Sequence, residues 1–333
     1  LPSPPMLPTT RATSPGPRPP TWQLAAAFAV VYLGYGLNFL AVKVAVETLP
    51  AFLFAGSHVL LAGAILFAWR AARGRALALP PGGLARAAAA AFFLFVGGVG
   101  LVTEGEKLGV ASGQAAMIKA SVPLWVAVLE AVRPRGEKIS ALMAAGLLLG
   151  ALGVVVLVLP KLASSSSADG ETLGTVALLL SALLFALGTL LVRHHAPSAD
   201  TAANVSWMML LGGGYLVLLG LALGEASGVS RADFTPPVLT AFVFLLFVHS
   251  LAAFSAMNWL LRHLPASVVT TKFYVSPAIA AVAGWLVLGE TLALPALGGL
   301  ALILAGVAVV LTGEKRRHAT PALSPDDADE LEG

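Results

Sequence analysis

The chain alternates long apolar stretches with short polar segments. An apolar run of about 20 residues can cross the roughly 30 Å hydrocarbon core of a bilayer as a helix. We find ten such runs, and the sequence therefore predicts an all-α integral membrane protein with ten transmembrane helices. The approximate bounds are 22–42, 51–69, 87–103, 111–132, 140–159, 173–192, 201–223, 237–261, 265–288 and 292–312.

Composition agrees with a membrane location, since 58% of the residues are hydrophobic and only 11% are charged. The proline-rich segment 1–21 is predicted to be disordered and does not have the pattern of a signal peptide. Because residue 1 is Leu, Met6 is a candidate start. The polar tail 313–333 is predicted to be a disordered cytosolic extension. Cysteine is absent, so neither a disulfide nor a thiolate metal site is expected, and no motif calls for a cofactor.

Lysine and arginine are concentrated in alternate loops, and such loops stay on the cytoplasmic side. This distribution predicts that both termini face the cytoplasm of a multi-pass protein in the plasma membrane, which is the inner membrane of a bacterium. The slight excess of positive charge follows from the same rule and gives no support for a nucleic-acid partner. The basic set comprises Arg70, Arg73, Arg75, Arg86, Arg133, Arg135, Lys138, Arg193, Arg262 and Lys315.

The two halves of the chain repeat each other. We divide them into a first repeat at 22–160, a linker at 161–172 and a second repeat at 173–312. Five spans is an odd number, so the second repeat must enter the membrane upside down, as in the inverted repeats of secondary transporters. The matching pairs are Ser112 with Ser267, Pro123 with Pro277, Glu137 with Glu290, Gly146 with Gly299 and Gly153 with Gly306.

Four segments carry a family resemblance: GYGLNFLAVKVAVE, GVGLVTEGEKLGVASGQAA, VPLW followed by GEKIS, and ASVVTTKFYVSPAIAAVAGWLVLGETL. Together they resemble EamA-type transporters of the drug/metabolite transporter superfamily. The resemblance implies a central cavity lined by helices one to four and six to nine, with the fifth and tenth packed at the rear. It also implies export of small metabolites, amino acids among them. The chain departs from the family pattern at Tyr35, Leu37 and His58.

Lys119 and Lys272 lie within apolar spans, one in each repeat. A lysine at a helix centre costs about 2.5–3.5 kcal/mol on insertion scales, so each should face a wet cavity or a partner. One interpretation places both in a cavity that binds a small-molecule metabolite bearing a carboxylate or phosphate. The other pairs each lysine with a backbone carbonyl or a buried Glu that merely holds helices together.

Further polar residues could line the same pathway. Glu104, Glu106 or Asn38 could accept the ammonium group of a zwitterion, although both Glu residues could equally lie in a solvated loop. His58 and His249 could carry protons, which leaves proton coupling open as a less favoured alternative. Most of the other polar side chains are as well explained by bonds within or between helices. The candidate set is Lys119, Lys272, Tyr35, Asn38, His58, Glu106, Gln114, His249, Asn258 and Tyr274.

Pro123 and Pro277 each remove a helical hydrogen bond, so we expect paired bends beside the site or static kinks that shape packing. The repeated glycines read as packing residues, and the same residues could support a homodimer.

An enzyme and a non-transporting scaffold are the competing classes. The sequence contains no HExxH zinc helix, Walker A loop or GxSxG turn, so we name no catalytic or metal-binding residue. A scaffold would need neither an inverted duplication nor two lysines within the membrane. The favoured interpretation is a secondary transporter, without its own ATPase, that exports an anionic or zwitterionic metabolite by alternating access.

Overall fold

A computed structural model describes residues 19–133, 140–163, 169–195, 201–264, 269, 272–291 and 293–319. The described residues form helices and connecting loops, with no strand among them. We number the helices by membrane span. They are α1 (Thr21–Val46), α2 (Ala51–Ala72), α3 (Gly83–Lys107), α4 in two pieces (α4a, Ser112–Lys119, and α4b, Val122–Val132), α5 (Ala141–Ala163), α6 (Asp169–His195), α7 (Thr201–Ala222), α8 in three consecutive pieces (Pro236–Val243, Phe244–Ala253 and Phe254–His263), α9 (Lys272–Leu288) and α10 (Leu294–Ala319).

The prediction of an all-helical membrane fold is confirmed. Nine stretches within the described residues are long and apolar enough to cross a bilayer, and α9 contributes a shorter apolar stretch, Val275–Leu288. The predicted start of the ninth span, at 265–268, lies outside the described residues, as do Glu137 and Ser267. Helices α5, α6 and α10 extend past the predicted spans, to Ala163, from Asp169 and to Ala319. A helix satisfies its own backbone bonds, so it can continue beyond the apolar boundary that the sequence marks.

The two repeats share an unusual backbone feature. The middle of α3, Phe92–Gly100, and the middle of α8, Phe244–Ala253, are π-helical. These segments read FFLFVGGVG and FLLFVHSLAA and occupy the third span of each repeat. π-Helical turns are rare and are frequently found at functional sites. Their presence at matching positions directs attention to the residues around them.

Helices α5 and α10 pack against each other through glycines, as the family resemblance implies. A Cβ atom placed at Gly153 would lie 2.7 Å from the carbonyl oxygen of Gly299, and one at Gly306 would lie 2.6 Å from that of Gly146. Only residues without a side chain permit this approach of two backbones. The repeated glycines therefore have a packing role within one chain.

The remaining helices interlock the repeats in two equivalent ways. Helix α1 of the first repeat packs against α8 and α9 of the second, whereas α6 of the second repeat packs against α3 and α4 of the first. The first helix of each repeat thus contacts the third and fourth helices of the other. This packing of each repeat against the other determines the surroundings of the two membrane lysines.

Candidate functional site

Lys119 ends α4a and reaches into the contact between α3 and α6. Its Nζ donates to the Ser181 hydroxyl at 3.1 Å and approaches the carbonyl oxygens of Gly98 and Ser181, both at 3.4 Å. It also lies 4.4 Å from the centroid of the Phe185 ring. The Ser181 hydroxyl in turn donates to the Gly98 carbonyl at 2.9 Å. Lys119 therefore bridges π-helical backbone of α3 and two side chains of α6.

Lys272 begins α9 as described and lies between α8 and α1. Its Nζ is 3.0 Å from the Sδ atom of Met257 and 3.7 Å from the centroid of the Tyr35 ring. A thioether sulfur is a weak acceptor. The aromatic face of Tyr35 supplies further attraction through its electron-rich π system.

The two lysine sites correspond through the repeat. Each ammonium comes from the fourth helix of one repeat, contacts the third helix of that repeat, and faces an aromatic ring on the first helix of the other repeat. Phe185 in one site takes the place of Tyr35 in the other. Neither lysine forms an ion pair with a carboxylate among the described residues.

Two histidines extend the Lys272 site. The Tyr35 and His249 rings meet edge to face, with centroids 5.1 Å apart, and His249 Nδ1 lies 3.0 Å from the Gly34 carbonyl oxygen. His58 is buried on α2, with Nδ1 3.1 Å from the carbonyl oxygen of Phe54, and α2 packs against the segment of α8 that carries His249. The structure thus brings together four of the candidates proposed from sequence.

The other predicted residues are more dispersed. Asn38 is partly buried on α1, one turn from Tyr35. Asn258 donates to the Phe254 carbonyl within its own helix at 2.9 Å. Gln114 is buried on α4a, and its Nε2 has no partner in the described part of the chain. The side chain of Tyr274 lies outside the described residues.

The two prolines lie in different settings. The two pieces of α4 are separated at Ala120 and Ser121, and Pro123 falls in the first turn of α4b. There its missing N–H removes no helical bond. Pro277 is inside α9. The interruption beside Lys119 is thus a break in the helix just before the proline.

A second group of contacts lies at what we call the distal face, which carries the α1–α2, α3–α4, α7–α8 and α9–α10 loops. Here hydrogen bonds join helix ends and loops of the two repeats. The Glu290 carboxylate accepts from Ser112 N at 2.7 Å, Ser112 Oγ at 2.9 Å and Gly113 N at 3.2 Å, and so caps α4a. Glu225 accepts from Leu53 N at 2.8 Å. Thr48 Oγ1 donates to the Asp233 carbonyl at 3.0 Å.

Glu106 is also at the distal face, near the end of α3. Its side chain is completely buried, and neither carboxylate oxygen has a hydrogen-bond partner among the described residues. Lys43 of α1 donates instead to the backbone carbonyls of Glu106, at 2.6 Å, and Val110, at 3.0 Å. Glu106 therefore does not lie in a solvated loop.

Sequence reasoning missed Ser181, Phe185 and Met257 as lysine partners. Each is a common residue of an apolar span, and nothing local distinguishes it from its neighbours. The repeat offered a signal for Phe185, because Phe185 in α6 and Tyr35 in α1 lie at similar depths in the first helix of each repeat. Aligning those two helices would have placed an aromatic residue opposite each lysine.

Comparison with known proteins decides the family. The EamA-like transporter family matches the chain twice, over residues 21–159 and 172–312. The chain belongs to the EamA-like transporter family. The match covers both repeats and with them both lysine sites. The chain is accordingly a multi-pass membrane protein of a transporter family within the drug/metabolite transporter superfamily.

Individual relatives of this EamA-like chain agree with that assignment. It is 28% identical to the protein named "Uncharacterized inner membrane transporter YedA" of Escherichia coli, over 91% of this chain and 95% of the relative. It is 26% identical to a "Probable amino-acid metabolite efflux pump" of Salmonella typhimurium, over 87% of this chain and 95% of the pump. A solved crystal structure with 19% identity superposes with a TM-score of 0.59 and covers 91% of this chain and 100% of its own. This last likeness concerns the fold alone.

Proposed function

We propose that this EamA-like protein is a secondary transporter that moves a small anionic or zwitterionic metabolite, such as an amino acid, across the bacterial inner membrane by alternating access. Export is the direction we favour, because one relative is named as a probable amino-acid metabolite efflux pump. Driving energy would come from solute gradients. No chemical conversion of the solute is part of the proposal.

The weak bonding of both membrane lysines is the observation that carries the proposal. Hydrogen bonds from nitrogen to oxygen are normally 2.7–3.2 Å long. Among the described residues Lys119 has one acceptor within that range, the Ser181 hydroxyl at 3.1 Å, because its two carbonyl contacts lie at 3.4 Å. The hydrogen-bonding contact of Lys272 is a thioether. A carboxylate or phosphate would form much stronger, charge-assisted bonds to either ammonium. Both lysines are therefore suited to exchange their present contacts for an anionic group of a solute.

The repeat supports alternating access. Equivalent lysine sites in inverted repeats provide one contact set that can be exposed from each side as the repeats rock against each other. The distal face is held closed by contacts from the second repeat to the first, such as Glu290 with Ser112. The positive-inside distribution of Lys and Arg supports an orientation with this face outside the cell. In this arrangement the structure corresponds to an outward-closed state.

Counterflow in proteoliposomes would test the proposal. Vesicles containing purified protein and an excess of unlabelled solute would receive labelled neutral amino acids, dicarboxylates or phosphorylated metabolites in turn. We expect one class to accumulate with the wild type but not in protein-free vesicles. Lys119→Ala and Lys272→Ala should each reduce that accumulation about tenfold or more, the equivalent of losing about 1.4 kcal/mol of binding.

The control is Lys107→Ala, because Lys107 is exposed at the end of α3 and has the same charge. It should retain wild-type accumulation. If neither membrane lysine matters for a solute that the wild type accumulates, the anion-binding part of the proposal is wrong. If no solute of any class accumulates while the protein is correctly folded, that result would favour the alternative that the protein is a non-transporting scaffold.

A further inference from the structure

Glu106 poses an energetic problem that the lysine sites do not explain. Its carboxyl group is fully buried and has no hydrogen-bond partner among the described residues. An ionised carboxylate without a partner in a protein interior carries a penalty of several kcal/mol. A carboxyl group that has taken up a proton avoids most of this penalty.

The nearest charged groups do not neutralise Glu106. The Lys43 ammonium donates its hydrogen bonds to the carbonyl oxygens of Glu106 and Val110. The Glu290 carboxylate accepts hydrogen bonds from the first turn of α4a and adds negative charge near Glu106. The other charged residues described at the distal face are Glu47 after α1, Glu104 and Lys107 on α3, Glu171 on α6, and Glu225, Arg231 and Asp233 between α7 and α8.

Glu106 is also poorly placed to hold the ammonium group of a zwitterion bound at Lys119. Lys119 contacts Gly98, and Glu106 lies eight residues farther along α3, about 12 Å at the rise of a helical residue. The ammonium and carboxylate of an α-amino acid are attached to the same carbon and cannot span that distance. We therefore infer a role for Glu106 other than direct binding of the solute.

We propose that Glu106 is a proton-binding site that permits the distal face to close, a step that rests on the alternating access proposed above. Closure buries Glu106, so the carboxylate takes one proton from the outer solution and becomes a neutral carboxyl group. Opening of the distal face exposes the carboxyl group to water, and the proton returns to the same solution. No proton crosses the membrane in this exchange. Acid outside therefore favours the closed distal face, and alkali outside favours the open one.

A proton fits this position better than a metal ion does. Calcium takes six to eight oxygen ligands and magnesium six. The described residues contain no group of three or more acidic or histidine side chains suited to a metal.

The chain has no cysteine, so a single introduced cysteine can report on opening. Val110 is fully buried beside the Lys43 contact, and Val110→Cys should react with a membrane-impermeant maleimide only when the distal face opens. Ser227→Cys, at an exposed position in the α7–α8 loop, corrects for the effect of pH on thiol reactivity. The measured quantity is the labelling rate of Val110→Cys divided by that of Ser227→Cys in right-side-out membrane vesicles.

With Glu106 intact, we expect the ratio to rise as the outer solution goes from mildly acidic to mildly alkaline, by at most about tenfold per pH unit for a single proton. Adding Glu106→Gln mimics the protonated form, so the ratio should stay low at every pH. Glu104→Gln, on the same helix but only partly buried, should keep the rise.

The proposal would be overturned if the labelling ratio still rose with pH in the Glu106→Gln variant. It would also be overturned if the ratio stayed flat with Glu106 intact, a result that does not depend on whether any Glu106 variant folds. Labelling of Val110→Cys without any pH dependence would still support an opening distal face, and so would leave alternating access standing. Failure of Val110→Cys to react at any pH, while Ser227→Cys reacts, would contradict both proposals.

Discussion

The ammonium nitrogen of Lys272 lies 3.7 Å from the centroid of the Tyr35 ring, across the contact between the two repeats. Lys119 and Phe185 form the equivalent contact at 4.4 Å. Each lysine therefore depends on an aromatic side chain that the other half of the chain provides. Movement of one repeat against the other would change both contacts at once.

Replacing Tyr35 with Leu should weaken solute binding at the Lys272 site. The ring face attracts the ammonium by about 0.5–2 kcal/mol, which positions the charge that the solute meets. We expect the solute concentration giving half-maximal counterflow to rise roughly fivefold, the equivalent of about 1 kcal/mol. Tyr35→Phe keeps the ring and should behave nearly as the wild type. Equal losses in the two variants would assign the effect to the hydroxyl group instead.

Gly306→Ala should destabilise the folded protein. Its Cβ would lie 2.6 Å from the carbonyl oxygen of Gly146, so α5 and α10 would have to separate. Crowding of this kind typically costs 1–3 kcal/mol, about the same in order of magnitude as overpacking a soluble core. Thermal unfolding in detergent should therefore begin at a lower temperature.

Gly298→Ala is the matched control for this change, because the same substitution on α10 meets nothing within 4 Å. It should leave the unfolding temperature unchanged or raise it slightly. Comparable destabilisation by both variants would mean that helix backbone effects, rather than the contact with α5, explain the loss.

Glu290→Ala should loosen the distal face, because three donors of Ser112 and Gly113 lose their acceptor. A buried donor left without an acceptor costs about 1–3 kcal/mol, so we expect a clear fall in thermal stability. Glu47→Ala removes an equally charged side chain from an exposed position after α1 and should have little effect. The account of the distal face would be wrong if the two variants were equally stable.

The sequence predicted the membrane fold and the repeat because both depend on long-range patterns of apolar residues and glycines. It could not reveal the π-helical segments of α3 and α8. Spans such as FFLFVGGVG are apolar at almost every position, so an extra residue per turn leaves no mark on their periodicity. The sequence also predicts a bend or kink at Pro123, whereas α4 is interrupted just before it, at Ala120 and Ser121.

The lysines themselves stood out in the sequence because charge within an apolar span is costly. Their partners did not. Ser181 can bond its own helix as readily as a neighbour, and only the packing of α6 against α3 and α4 identifies it as the hydroxyl that holds Lys119. The burial of Glu106 likewise depends on tertiary packing, since its local sequence, TEGEKLG, is polar.

The most direct test of the central claim is the initial rate of counterflow in Lys119→Met, which keeps the apolar stem and removes the charge. Lys107→Met makes the same change at an exposed position and serves as the control. If the lysine binds an anionic group of the solute, the Lys119 variant should lose about tenfold or more of the rate, or about 1.4 kcal/mol, while the control matches the wild type. A wild-type rate in Lys119→Met would contradict the account.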